Sequence, residues 1–213
     1  MSEVPHVSDF QIEIVRLLFS LPESSSFLLV GGMALLAQGM SVRPTEDVEA
    51  FTAIPGDVQI ARAAFESEVL KRNWRIDVRR STETFVRLHV HGPETVIVDL
   101  ALDSPPVLPP TMSVLGPTFA PDEIAARKLL ALFDRAMPRD FVDVYSVTRH
   151  RSTKELVNFA IELDPGMNPV VLGLAMRQLT RYRDGDLPIP LSEVAKIRAF
   201  FDAWASDLAE GAD

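Results

Sequence analysis

The chain has 213 residues, 47% of them hydrophobic and 24% charged, with a formal net charge of −9 and no cysteine. That composition supplies a core for one large domain or two small ones and excludes a disordered chain, and the missing thiols exclude disulfides, thiolate metal sites and cysteine nucleophiles. The acidic balance excludes a protein that coats nucleic acid without specificity, because neutralising phosphates takes an excess of Lys and Arg.

No apolar run reaches the roughly 18–20 residues that span a membrane. Glu3, Asp9, Glu13 and Arg16 interrupt the first twenty residues where a signal peptide would be apolar, so a cytoplasmic protein is expected. Phe10, Ile14, Leu17 and Leu18 recur at helical spacing and predict an amphipathic helix over 8–20. The run 27–30 reads as a strand that enters a tight turn at Gly31-Gly32, with a helix from Met33 to Gln38 behind it. A strand follows at 47–52, a helix at 57–71, and strands at 74–79, 84–90 and 95–101, the last two joined by a hairpin turn at His91-Gly92-Pro93. Six prolines between 103 and 121 break the periodicity and read as a linker or a long irregular loop. Helical patterns then fill 121–136, 139–149, 152–163, about 168–182 and 191–208. The fold class is therefore α/β (α+β): an N-terminal mixed sheet with flanking helices over 1–104, a Pro-rich linker over 105–120 and a C-terminal helical bundle over 121–213.

Chemistry concentrates in the acids of the first part. Asp47 and Glu49 are two apart on a strand, so both leave the same face. Two like charges there repel unless solvent or a cation lies between them; alone, such a pair is usually an exposed strand face. Asp99 adds a third carboxylate inside the apolar run Val96–Leu102, expected to be a buried central strand. An unpaired carboxylate in that setting is costly, so it needs a cation or a hydrogen-bonding partner such as an arginine. Three carboxylates on adjacent strands suit Mg2+ (or Mn2+), with triphosphate oxygens completing the shell. The glycine pair lets backbone approach a phosphate closely.

The order Gly31-Gly32, about a turn of helix, Asp47-x-Glu49, then Asp99 resembles the polymerase-beta-like nucleotidyltransferase superfamily. The stretch Pro121–Arg135, with Lys128, followed by Pro138-Arg139-Asp140-Phe141-Val142-Asp143-Val144-Tyr145, resembles more narrowly the AbiEii/AbiGii-type nucleotidyltransferase toxins, MenT-like members included. The resemblance covers about 28–147. It implies a magnesium-dependent enzyme that transfers a nucleoside monophosphate from a nucleoside triphosphate, a pyrimidine nucleotide among the candidate donors, to RNA. The tRNA 3′ end is the foremost acceptor, so that translation stops, and a cognate antitoxin is the implied partner. It assigns catalysis to Asp47, Glu49, Asp99, Lys128 and Asp143, the metal to Asp47, Glu49 and Asp99, and nucleotide binding to Gly31, Gly32, Arg43, Thr45, Lys128 and Arg139. A hydroxyl at the Thr45 position can be phosphorylated in relatives, which would set negative charge against the metal acids. One departure is Glu49, where the family carries Asp. Nucleotidyl transfer to a protein or small-molecule hydroxyl stays open, as does a degenerate fold that only binds.

Each helical residue also has a plainer reading. Lys128 flanks the apolar stripe Ala125, Leu129, Leu132 and Ala136, so its stem can lie on that surface with the ammonium in a cleft or in water. Asp143 stands one turn from Arg139 and could form a structural i,i+4 pair with it. Asp134, Arg135, Arg139 and Asp140 read as supporting or substrate-orienting residues. Lys71, Arg72, Arg75, Arg79, Arg80 and Arg87, against Asp77 and Glu83, form a local basic stretch, either a solvated surface or a path for RNA. His89 and His91 lack a third ligand at zinc spacing.

Overall fold

The computed structural model describes residues 4, 6–41, 43–149 and 151–210. They fall into two units, Met1–Gly39 with Pro44–Ala120 and Met40–Arg43 with Pro121–Asp213.

The first unit opens with α1 (Asp9–Ser20), whose first turn is closed by a capping box: the Ser8 hydroxyl accepts from the Gln11 N–H and the Gln11 side chain accepts from the Ser8 N–H. Two donors that a helix start leaves orphaned are thereby satisfied. Phe10, Ile14, Val15, Leu17 and Leu18 face inward. Then come β1 (Leu28–Val30), α2 (Gly31–Ala37), β2 (Asp47–Thr52), α3 (Asp57–Lys71), β3 (Arg75–Ser81), β4 (Phe85–His91) and β5 (Thr95–Leu102). The expected elements match to within one or two residues. The stretch 105–120, expected as a linker or irregular loop, instead carries β6 (Thr111–Met112) and β7 (Pro117–Thr118), and β7 pairs in parallel with β1. The prolines that hide these strands are compatible with them, since Pro117 is the first residue of its strand, where a missing N–H is tolerated.

The seven strands run in the order β3-β4-β5-β2-β1-β7-β6, parallel between β2 and β5 and between β1 and β7, antiparallel elsewhere. Val48 and Ala50, Val86, Leu88 and Val90, and Val96, Val98 and Leu100 are buried. α3 packs on β3, β4 and β5, and α1 on β2 and β5. Strand alternation sends the residues between these apolar positions to the opposite face. That second face carries Asp47, Glu49 and Asp99.

The second unit is helical: α4 (Pro121–Arg135), α5 (Pro138–Val147), α6 (Thr153–Leu163), α7 (Pro169–Arg177) and α8 (Leu191–Glu210). Each of the first, second and fourth begins on a proline, whose missing N–H is an orphan at that position anyway. α4 packs against α5, α6 and α7, and α8 against α5 and α7. Phe141 meets Phe201 edge-on at 5.2 Å, and Phe200 and Trp204 extend this aromatic cluster. The helix expected over 168–182 ends at Arg177 and tightens into a 3-10 turn, Gln178–Arg181. Among the described residues no helix is long and apolar enough to cross a membrane.

Candidate active site

In the first unit the ladder register places the acids. Glu49 on β2 stands opposite Asp99 on β5, and Asp99 stands opposite Arg87 on β4. An acid, an acid and a base thus form a row across three neighbouring strands, all on the face away from the apolar alternation. Asp47, two residues before Glu49, lies on the same face and is half-buried like Glu49. Asp99 is only 3% exposed.

Arg87 is the residue that sequence reading placed only in a basic surface stretch. Its Nε donates to Asp99 Oδ1 at 2.8 Å and its Nη2 to Oδ2 at 2.6 Å. The forked geometry supplies the partner that a buried carboxylate requires. The hydrogen bonds that Arg87 donates to Asp99 raise the Arg87 pKa, and the charges of Asp99, Asp47 and Glu49 add to the rise. A signal for this pairing was present: a hairpin centred on Pro93 sets residues equidistant from it opposite one another, and Arg87 and Asp99 are such a pair.

Gly31 packs closely against Glu49. Gly31 has φ +67°, and a Cβ there would lie 1.6 Å from Glu49 Oε2. The absent side chain makes room for the Glu49 carboxylate, and the left-handed backbone favours glycine independently. Gly32 is buried within α2. Thr45 is buried too, and its hydroxyl donates to Asp47 Oδ1 at 2.9 Å. The Gln11 side chain donates to the Thr45 carbonyl at 2.8 Å, tying the start of α1 to the residues leading into β2.

The donor set suits a hard divalent cation, since carboxylate oxygens on one face are what Mg2+ or Mn2+ takes. As they stand, no group of three or more His, Cys, Asp or Glu side chains among the described residues is arranged to hold a metal ion. Both oxygens of Asp99 are engaged by Arg87. By donor chemistry Asp47, Glu49 and Asp99 are the residues that would hold such a cation.

In the second unit Arg43, Lys128 and Asp143 come together although a hundred residues separate the first from the last. Asp143 on α5 is fully buried. Arg43 Nε donates to its Oδ1 at 2.6 Å and Nη2 to Oδ2 at 2.9 Å, while Lys128 Nζ from α4 reaches Oδ2 at 2.9 Å. Burial alone would raise the Asp143 carboxyl, but the Lys128 ammonium and the Arg43 guanidinium outweigh it and hold the pKa below its ordinary value. The cations are nearly buried, their side chains 10% and 12% exposed. Arg139 is exposed and forms no salt bridge among the described residues, so the i,i+4 pair with Asp143 is absent. Asp140 is buried and takes a fork from Arg135 at 2.8 and 2.9 Å together with the Met137 N–H, which makes it the brace of the α4–α5 turn.

Most of the basic stretch is internally balanced. Lys71 and Arg72 share Glu68, Arg75 lies 3.9 Å from Asp77, and Arg87 belongs to Asp99. Arg79 and Arg80 are exposed on the edge strand β3 and form no salt bridge among the described residues.

Residues 16–164 match the family described as nucleotidyl transferase AbiEii toxin, type IV TA system. In structure the chain is similar to MenT4, a nucleotidyltransferase toxin from Mycobacterium tuberculosis H37Rv, with TM-score 0.62 and 18% identity over 93% of this chain and 82% of that one. It is similar also to JHP933 from Helicobacter pylori, with TM-score 0.58 and 17% identity over 97% and 96% of the two chains. The antibiotic-resistance factor ANT(2'')-Ia aligns with TM-score 0.50 and 10% identity over 73% and 92%. At such identities these likenesses establish the fold alone. No curated protein matches the chain in sequence.

Proposed function

The chain belongs to the AbiEii nucleotidyltransferase toxin family and is a transferase enzyme of that kind, and we propose that it transfers a nucleoside monophosphate from a nucleoside triphosphate to the 3′ end of tRNA in the cytoplasm, stopping translation until a cognate antitoxin neutralises it. The observation that carries this reading is the acid row: Asp47 and Glu49 on one face of β2, with Asp99 in register beside Glu49 on β5. A sheet face holding three carboxylates in one patch is built to gather positive charge.

In the reaction the acceptor hydroxyl attacks the α-phosphorus of the triphosphate. A new oxygen–phosphorus bond forms, the bond from that phosphorus to the bridging oxygen breaks, pyrophosphate leaves, and the hydroxyl proton passes to the carboxylate row. Asp47, Glu49 and Asp99 would hold magnesium or manganese, which when bound neutralises phosphate charge and acidifies the attacking hydroxyl. Thr45 keeps Asp47 oriented through its hydroxyl. We assign triphosphate binding to Lys128 and Arg43, with Asp143 as the residue that positions both. A fixed cation there stabilises the charge that develops on the leaving pyrophosphate. Gly32 and Arg139 remain proposed nucleotide contacts. Arg79 and Arg80, exposed cations of β3, are the proposed contacts for the RNA backbone.

The test is incubation of purified protein with each labelled nucleoside triphosphate and total cellular RNA, with and without magnesium. Label should enter the tRNA fraction, depend on the metal, and vanish in Asp47→Ala. Label appearing in protein or in a small molecule would move the acceptor to that class of hydroxyl, and incorporation from no nucleotide would leave a fold that only binds.

A further inference from the structure

Arg87 and Asp99 are unequal partners. The Asp99 carboxylate is fixed in a central strand with its side chain 4% exposed, whereas the Arg87 side chain is 45% exposed and reaches the acid from the solvent side. The acid cannot stand without positive charge, because an unpaired buried carboxylate is costly. The base can, because a half-exposed guanidinium keeps part of its contact with water when the acid is taken from it. Glu49 and Asp47 share the same face, so the pair sits in a field that draws any further cation. Arg87 engages both Asp99 oxygens at once. A divalent cation that used Asp99 would meet the guanidinium at the same atoms, and two positive groups there repel.

We propose that Arg87 is a positioning residue, the exchangeable counter-ion of Asp99: it holds the carboxylate in place when no divalent cation is bound and gives up both oxygens when one arrives. Cation and guanidinium then compete for a single carboxylate, and the metal affinity of the site is set by Arg87 as well as by the acids. This rests on the assignment of a metal to the acid row.

The experiment is Mn2+ binding to the metal-free full chain, read by electron paramagnetic resonance without substrate. Arg87→Gln should lower the apparent Kd roughly tenfold, equivalent to about 1.4 kcal/mol. Arg87→Lys should fall between, because an ammonium keeps the charge but cannot fork to both oxygens, and this variant carries the test if Arg87→Gln does not fold. In an Asp99→Asn background the gain from Arg87→Gln should disappear. Arg62→Gln, which removes a cation that pairs with Glu66 on α3, should leave the Kd unchanged. Equal or weaker Mn2+ binding by both Arg87 variants overturns the proposal, as does a gain that survives Asp99→Asn or that Arg62→Gln reproduces. If the wild type and every variant fail to bind Mn2+, the metal assignment falls and the proposal with it; binding by all at one affinity overturns the proposal alone.

Discussion

Replacing Asp143 by asparagine keeps the shape of a fully buried side chain and removes its charge. The wild-type carboxylate takes the Arg43 fork at 2.6 and 2.9 Å and the Lys128 ammonium at 2.9 Å. In the variant two nearly buried cations are left facing each other without their anion. Breaking a buried pair by removing one partner costs about 3–5 kcal/mol. For a chain of this size each kcal/mol moves the melting temperature by roughly 2–4 °C, so a fall of about 6–20 °C is expected by scanning calorimetry. Lys128→Met supplies the second arm of a double-mutant cycle: in the Asp143→Asn background, removing the lysine should recover stability. Acid dependence gives an independent reading. The Asp143 pKa is lower in the folded chain than its unfolded value of about 3.9. Its contribution is therefore complete above about pH 4 and is lost as pH falls through the lower folded value, so the gap between wild type and Asp143→Asn should close below pH 4. A melting-temperature change under about 2 °C, or single effects that add within about 0.5 kcal/mol, would refute the coupled buried cluster.

Gly31→Ala should be destabilising and should abolish transfer, because the new Cβ would occupy the Glu49 carboxylate position on a left-handed backbone; circular-dichroism melts with a transfer assay check this, and a fully active, equally stable variant would contradict it. Lys128→Ala should weaken triphosphate binding by calorimetry far more than Lys154→Ala, whose side chain is exposed on α6; equal losses would point to bulk electrostatics. The double change Arg79→Gln with Arg80→Gln should raise KM for RNA and flatten its salt dependence while leaving triphosphate affinity unchanged, as checked across a salt series. Unaltered tRNA modification by that variant would remove the exposed edge of β3 from the acceptor site.

Local order was legible in the residues themselves. Alternation in β2 is a period-2 pattern carried within six residues, so the sequence alone puts Asp47 and Glu49 on one face, whatever strand lies beside them. The helix of Pro121–Arg135 announced its buried stripe through Ala125, Leu129 and Leu132 in the same way. What the strands β6 and β7 do was hidden, because two-residue strands have no period to read and β7 pairs with β1, nearly ninety residues earlier. The Glu49 carboxylate filling the space beside Gly31 was hidden for a related reason: a glycine signals freedom of backbone, not which side chain uses the room. Composition and spacing could state that Asp99 needs positive charge, and the hairpin about Pro93 could have named Arg87, since a turn fixes register over a few residues. The partners of Asp143 could not be named that way. Its nearest cation in the chain, Arg139, points to solvent, and the two that hold it come from α4 and from the segment Met40–Arg43. Periodicity records which side of an element is buried, but opposite charges find each other through space, and only the packing of the helices decides which cation reaches a buried acid.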